Sequence, residues 1–239
     1  MHSITAQLSS LSGRIDVDMI DHIFMFIEVN GPEIYRLEAL GLVETYRRIH
    51  PGQGTQNVCY CFDNLFLELL WVDDFDALRS DIVKRTGLYE RSLWRTNGTS
   101  PFGIAWRGTS QHQGVTVPTW DFKPPYLPHG MSIPVAEDGD DPRQPMMFES
   151  PGSVAPAEWP PERRGSLQHG AGLGAVTEIM LEMPSTSPPC DALKAISRKC
   201  APRIQLAEAG TYGLRLRIKS LSEKPDLLLT LPVSTHCEP

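Results

Sequence analysis

Glu68 stands in the run Phe66-Leu67-Glu68-Leu69-Leu70-Trp71-Val72, where every neighbour is apolar. A carboxylate buried there without a partner is costly. A metal ion, an arginine or a ligand's hydrogen-bond donor is therefore expected beside it. His22 stands in a similar run, Ile20 to Val29, rich in β-formers. Alternate residues of a strand share a face. This puts His22 with Phe24 and Phe26, and Glu68 with Phe66 and Leu70. An imidazole and a carboxylate together suit Zn, Mn, Fe or Ni. Without a metal, Glu68 can serve as a general base, and His22 either contacts a ligand or is a hydrogen-bonded structural histidine.

Other residues could join them. His50 precedes Gly52 and Gly54, and glycines at this spacing allow a tight turn and close backbone approach. Arg107 ends the run Phe102-Gly103-Ile104-Ala105-Trp106 and could hold a ligand carboxylate, or else pair with Glu68 or another acid. Trp106, Trp120 and Tyr126 could line an apolar pocket or fill the core. His169 reads mainly as a loop residue, and His112, His129 and His236 as solvent-exposed. The stretch Gly170-Ala171-Gly172-Leu173-Gly174 neither follows a clear strand nor opens a helix, so it reads poorly as a dinucleotide loop.

Composition narrows the function classes. Net charge is -7, and basic residues cluster no further than pairs such as Arg47-Arg48 and Arg163-Arg164. Nucleic-acid binding needs a concentrated basic face, so it is not expected, and both pairs read as solvated surface. No apolar run approaches a membrane span, and the first residues carry no signal-peptide pattern. A cytoplasmic protein is the expectation. The five cysteines form no Cys-x-x-Cys pair, which suits reduced thiols, with Cys59 and Cys61 packed in the core.

The elements that would position these side chains follow from pattern and punctuation. A loose arm covers 1–18. A first module over 19–74 reads β-α-β-β-β, with Asn30 capping its helix and Gly41 closing it. The same order returns over 166–239, about 155 residues later. Between them, 75–165 reads as a connecting segment. It has a helix within 76–93, strands near 101–107 and 146–149, and Pro-rich loops that could cover a cleft. The expected fold class is α+β, with paired βαβββ modules forming curved mixed sheets around a central cleft.

Three motifs in order carry a family resemblance. Ile20-Asp21-His22-Ile23 resembles the Asp-His opening of the first strand in the vicinal-oxygen-chelate superfamily. Phe66-Leu67-Glu68-Leu69-Leu70 resembles that module's fourth strand. His50 to Asn57 resembles a motif of its glyoxalase-like subgroup, and His169-Gly170 a stretch before that subgroup's second module. The resemblance implies a cleft for a small organic molecule and a divalent metal (Zn, Fe, Mn or Ni) held by His22 and Glu68. His50 or His169 would be the third ligand, and Glu178 a further candidate. The candidate ligand contacts are His50, Arg107, Trp106, Phe24 and Asn57. The resemblance places the second-module counterparts of His22 and Glu68 near Val176 or Thr177 and near Leu228 or Leu229, which departs from a four-ligand pattern. The implied function is a metal-dependent lyase, isomerase or dioxygenase with His22 and Glu68 catalytic. The alternative is a metal-free binder that sequesters its ligand. Pairing into a homodimer is a further implication.

Overall fold

The computed structural model describes residues 18–108, 114–152 and 154–233. His112 and His236, and the arm before Asp18, lie outside them. The first unit comprises strand β1 (Asp18–Phe26), helix α1 (Pro32–Ala39) and strands β2 (Tyr46–His50), β3 (Thr55–Cys61) and β4 (Phe66–Val72). The four short helices α2 (Phe75–Leu78), α3 (Asp81–Lys84), α4 (Leu88–Ser92) and α5 (Trp94–Asn97) then replace the single helix expected over 76–93. Next come β5 (Phe102–Arg107), β6 (Thr119–Phe122), β7 (Ile133–Ala136) and β8 (Met146–Glu149). The last part holds α6 (Pro161–Arg164), β9 (Leu173–Pro184), α7 (Asp191–Lys199), β10 (Cys200–Ala201), β11 (Ile204–Ala209), β12 (Gly213–Ser220) and β13 (Leu227–Leu231).

The fold class is α+β, with paired modules in a curved mixed sheet around a cleft. The pairing partner differs from the expected one. The large sheet runs β2-β3-β4-β1-β5-β8-β7-β6, with β10 joined to β1. β1 lies parallel to β4, β5 lies parallel to β8, and β1 and β5 meet antiparallel at the centre. The order outward from the centre is therefore the same on both sides. The second half of the cleft sheet comes from 102–149, within the expected connecting segment. Apart from the two-residue β10, which joins β1, the C-terminal segment has the order β-α-β-β-β, but it forms a separate four-stranded sheet, β11-β9-β12-β13. Its first strand pairs with its second and third, whereas β1 pairs with the fourth strand of its own unit. Element order alone does not decide strand pairing.

Alternation divides the large sheet into two faces. Ile23, Met25, Leu67, Leu69, Ile104 and Trp106 turn toward the four-stranded sheet. They share one core with Ile179, Leu181, Leu193, Ile196, Leu214 and Leu216. Each such fully buried aliphatic side chain contributes about 2 kcal/mol. Phe24, Phe26, Leu70, Ala105, Met146 and Phe148 turn the other way, toward the short helices and the cleft. Close packing needs glycine at two points. A Cβ at Gly103 would collide with the Phe24 ring, and one at Gly54, where φ is +83°, would collide with the Asp74 carbonyl. The α1 helix is capped at Gly31 rather than Asn30. Asn30 instead takes a left-handed φ of 53° in the preceding turn.

Candidate active site

The concave face of the large sheet encloses a cleft of about 600 Å³. Its floor is strands β1, β3 and β4. Its walls are aromatic: Phe66 and Trp159 at one side, Phe122 and Phe148 at the other. The chain segments carrying Tyr126–Leu127 and Pro151–Gly152 run along its rim. These loop-borne covers lie in the Pro-rich part of the chain, where the sequence placed them.

A row of buried polar groups crosses the floor. The Arg107 Nη1 donates to Asp21 Oδ1 at 2.8 Å, and its Nη2 donates to the Asn64 carbonyl at 2.7 Å. The other oxygen of Asp21 meets His22 Nδ1 at 2.8 Å. His22 Nε2 then faces Glu68 Oε2 at 3.6 Å. Glu68 Oε1 accepts from Asn57 Nδ2 at 2.5 Å. Asn57 Oδ1 in turn accepts from the Arg48 backbone N–H at 2.9 Å. That last bond fixes the amide's orientation. A backbone N–H can only donate, so the Asn57 oxygen must face it and the NH₂ must face Glu68.

A local irregularity brings Asp21 to this row. The β1–β5 register slips between Ile20, opposite Trp106, and His22, opposite Ala105. Asp21 is the extra residue of that bulge, so the alternation breaks and its carboxylate joins His22 on the cleft side. Burial pushes Asp21 upward, but hydrogen bonds and charge from His22 and Arg107 outweigh it and hold the carboxyl below the usual range. An ionised carboxylate only accepts, so Nδ1 of His22 carries a proton. Nε2 is then left facing a second carboxyl group at 3.6 Å, longer than a hydrogen bond. The ring cannot turn away. Phe66 stacks on it at 4.3 Å and Phe148 stands edge-on at 5.4 Å.

His50 lies farther along the same face. Its Nδ1 is 2.9 Å from Thr55 Oγ1, which also accepts from Gln53 Nε2 at 2.8 Å. Its ring packs 5.1 Å from that of Tyr126. Burial is the main force pushing the His50 imidazole below its ordinary value. The Arg48 and His22 charges add to this, against an opposing pull from Glu68. His50 is thus biased toward its neutral form.

The structure brings His22, Glu68, Asn57, His50 and Phe24 together on the cleft lining. Five candidate residues lie outside the lining. Trp106 points into the core between the two sheets, because it alternates with the cleft-facing Ala105. Arg107 is buried behind Asp21 and reaches the cleft only through it. His169 bonds Asp63 at 2.6 Å on an exposed surface outside the lining. Trp120 donates instead to Asp140 at 3.1 Å. Glu178 sits on the four-stranded sheet and pairs with Arg217 at 2.8 Å.

These placements bear on the implied metal. Among the described residues, no three His, Cys, Asp or Glu side chains gather in a way that could hold an ion. The counterparts of the His22 and Glu68 strands are β5 and β8, rather than strands near Val176 and Leu228. Their cleft-facing side chains are Gly103, Ala105, Met146 and Phe148. Where a second pair of donors would stand, there are a hydrogen, a methyl, a thioether and a phenyl ring. A divalent ion in a catalytic site typically takes about three protein ligands. The donor set does not fit one.

Sequence reasoning missed several lining residues. Asp21 was visible in the Asp-His motif, but a bulge has no sequence signature of its own. Tyr46, Phe148 and Trp159 drew no assignment from pattern or spacing, yet all three line the cleft. Arg48, taken as solvated surface, sits on the rim with Tyr46 beneath it.

No family model matches the chain. No curated protein matches it either. Solved structures with a similar course of the chain include a hypothetical protein from Staphylococcus aureus, at 11% identity and a TM-score of 0.46, covering 82% of this chain and 88% of that one. A methylmalonyl-CoA epimerase in complex with methylmalonyl-CoA and NH4+ is similar at 13% identity and a TM-score of 0.37, covering 58% of this chain and 99% of that one. A Streptomyces coelicolor methylmalonyl-CoA epimerase variant with 2-nitronate-propionyl-CoA gives 13% identity and a TM-score of 0.37, covering 57% and 99%. At this level of likeness, the chemistry of this cleft has to be read from its own side chains.

Proposed function

We propose that the cleft takes up a small organic molecule carrying a C–H bond next to a carbonyl, and that Glu68 removes that proton without a metal. One observation carries the reading. His22 Nε2 and Glu68 Oε2 face each other across 3.6 Å at the cleft floor, and each is held from behind by a buried partner. In this reaction Glu68 Oε2 takes the proton and the C–H electron pair moves onto the carbonyl oxygen. That oxygen is stabilised as an enolate by a hydrogen bond from protonated His22 Nε2. Asp21 balances the imidazolium and keeps it in place, as Arg107 does for Asp21. Return of the proton from Glu68 to the same carbon gives exchange with solvent, and its return to a neighbouring carbon gives an isomer.

Uptake without conversion is the second reading. The observation favouring it is the aromatic packing of Phe66 and Phe148 against His22, which suits a flat apolar ligand. The Glu68→Gln variant separates the two. Binding of an aryl ketone, followed through tryptophan fluorescence, is retained and conversion is lost if Glu68 is the base. Equal conversion in variant and wild type contradicts the proposal. Binding in the wild type with no conversion of any carbonyl compound supports sequestration.

A further inference from the structure

Arg48 stands on the rim of the cleft. It lies on β2, the edge strand, and shares a face with Tyr46 and His50. Its neighbour Arg47 is neutralised by Glu44 at 2.9 Å. Arg48 has no such partner: among the described residues no carboxylate lies within ion-pair distance. Its guanidinium rests 5.5 Å above the Tyr46 ring on the cleft rim. Its charge is felt inside, where it opposes protonation of His50 and favours ionisation of Tyr126. The acids of the cleft floor are already engaged, Asp21 by Arg107 and His22, and Glu68 by Asn57. Arg48 is therefore a cation facing the cleft with its donors unassigned.

Resting on the uptake reading above, we propose that the ligand is a hydrophobic carboxylic acid whose carboxylate is received by Arg48. Its apolar body then lies among Phe24, Phe122, Ile133, Met146 and Phe148. A carboxylate fits better than a phosphate. A single guanidinium matches a planar monoanion in a two-point contact, and the nearby Glu68 disfavours a second negative charge. Spacing constrains the ligand further. β2 and β4 are separated by one intervening strand, and Arg48 is aligned through Asn57 with Leu70, two residues from Glu68, so the Arg48 and Glu68 Cα atoms stand about 12 Å apart. The part of the ligand that reaches Glu68 is thus several bonds from the carboxylate.

The test compares 4-phenylbutanoate with its uncharged amide, both titrated at low salt. In the wild type the acid binds about fivefold more tightly than the amide, the range of a solvent-exposed ion pair. In Arg48→Gln the ratio falls to about one while the amide still binds, and Arg48→Lys keeps part of the preference. Equal binding of acid and amide to the wild type overturns the carboxylate assignment alone, as does an unchanged preference in Arg48→Gln. Failure of both probes to bind overturns the uptake reading and this assignment with it.

Discussion

His22 and Glu68 stand on neighbouring parallel strands with ring nitrogen and carboxylate oxygen 3.6 Å apart, and neither can swing away. Phe66 and Phe148 clamp the imidazole, and Asn57 holds the carboxylate. This gap at the floor of an aromatic cleft is the feature from which function follows.

Asp21 anchors the row from behind. Asp21→Asn leaves Arg107 buried with a neutral partner, and loss of one member of such a pair costs about 3 kcal/mol. The sign with pH follows from the depressed carboxyl. The stabilisation is complete above about pH 4, where the unfolded group ionises. It disappears as pH falls through the lower folded value. Urea unfolding should show a wild-type advantage near neutrality that narrows in acid.

His50 acts in a higher window. Its imidazole is depressed in the fold, so below about pH 6.5 the unfolded chain binds a proton that the fold resists. Stability therefore falls as pH drops from about 6.5 toward the folded value. His50→Gln should remove that slope. Between pH 7.5 and 5.5 the variant should lose less stability than the wild type.

Trp106 and Phe148 test the two faces of the sheet. Trp106→Phe removes core volume and should cost about 1–2 kcal/mol with ligand binding unchanged. Phe148→Ala, on the cleft wall, should cost about 3 kcal/mol and also weaken binding of aryl ligands. Denaturation and titration of both variants check this. Weakened binding in the Trp106 variant alone would place the cleft on the wrong face.

The donor set predicts metal-independent uptake. Elemental analysis of purified protein should find well under one equivalent of divalent metal, and a chelator should leave ligand affinity unchanged. A stoichiometric metal lost in both His22→Ala and Glu68→Ala would contradict this.

The first unit was legible because its strands are runs of β-formers and its turns carry Gly52, Gly54 and Asn64. Glu68 stood out because a carboxylate in an apolar strand demands a partner. The second half of the cleft was hidden. Strands β6 to β8 have four residues each, lie among prolines, and have no helix among the described residues between β5 and β6. The regular C-terminal strands repeated the element order better, yet they pair in another order and pack behind the sheet. Arg48 was hidden for a different reason: an exposed charge on an edge strand looks like solvated surface until the cleft beside it is seen.

Deuterium uptake tests the central claim most directly. Small aryl ketones and keto acids are incubated with the protein in D2O, and loss of the proton beside the carbonyl is followed by NMR. Exchange above the buffer rate in the wild type, falling at least about a hundredfold in Glu68→Gln, is the predicted result. Exchange that is equally fast in Glu68→Gln, or absent for every compound the wild type binds, would contradict it.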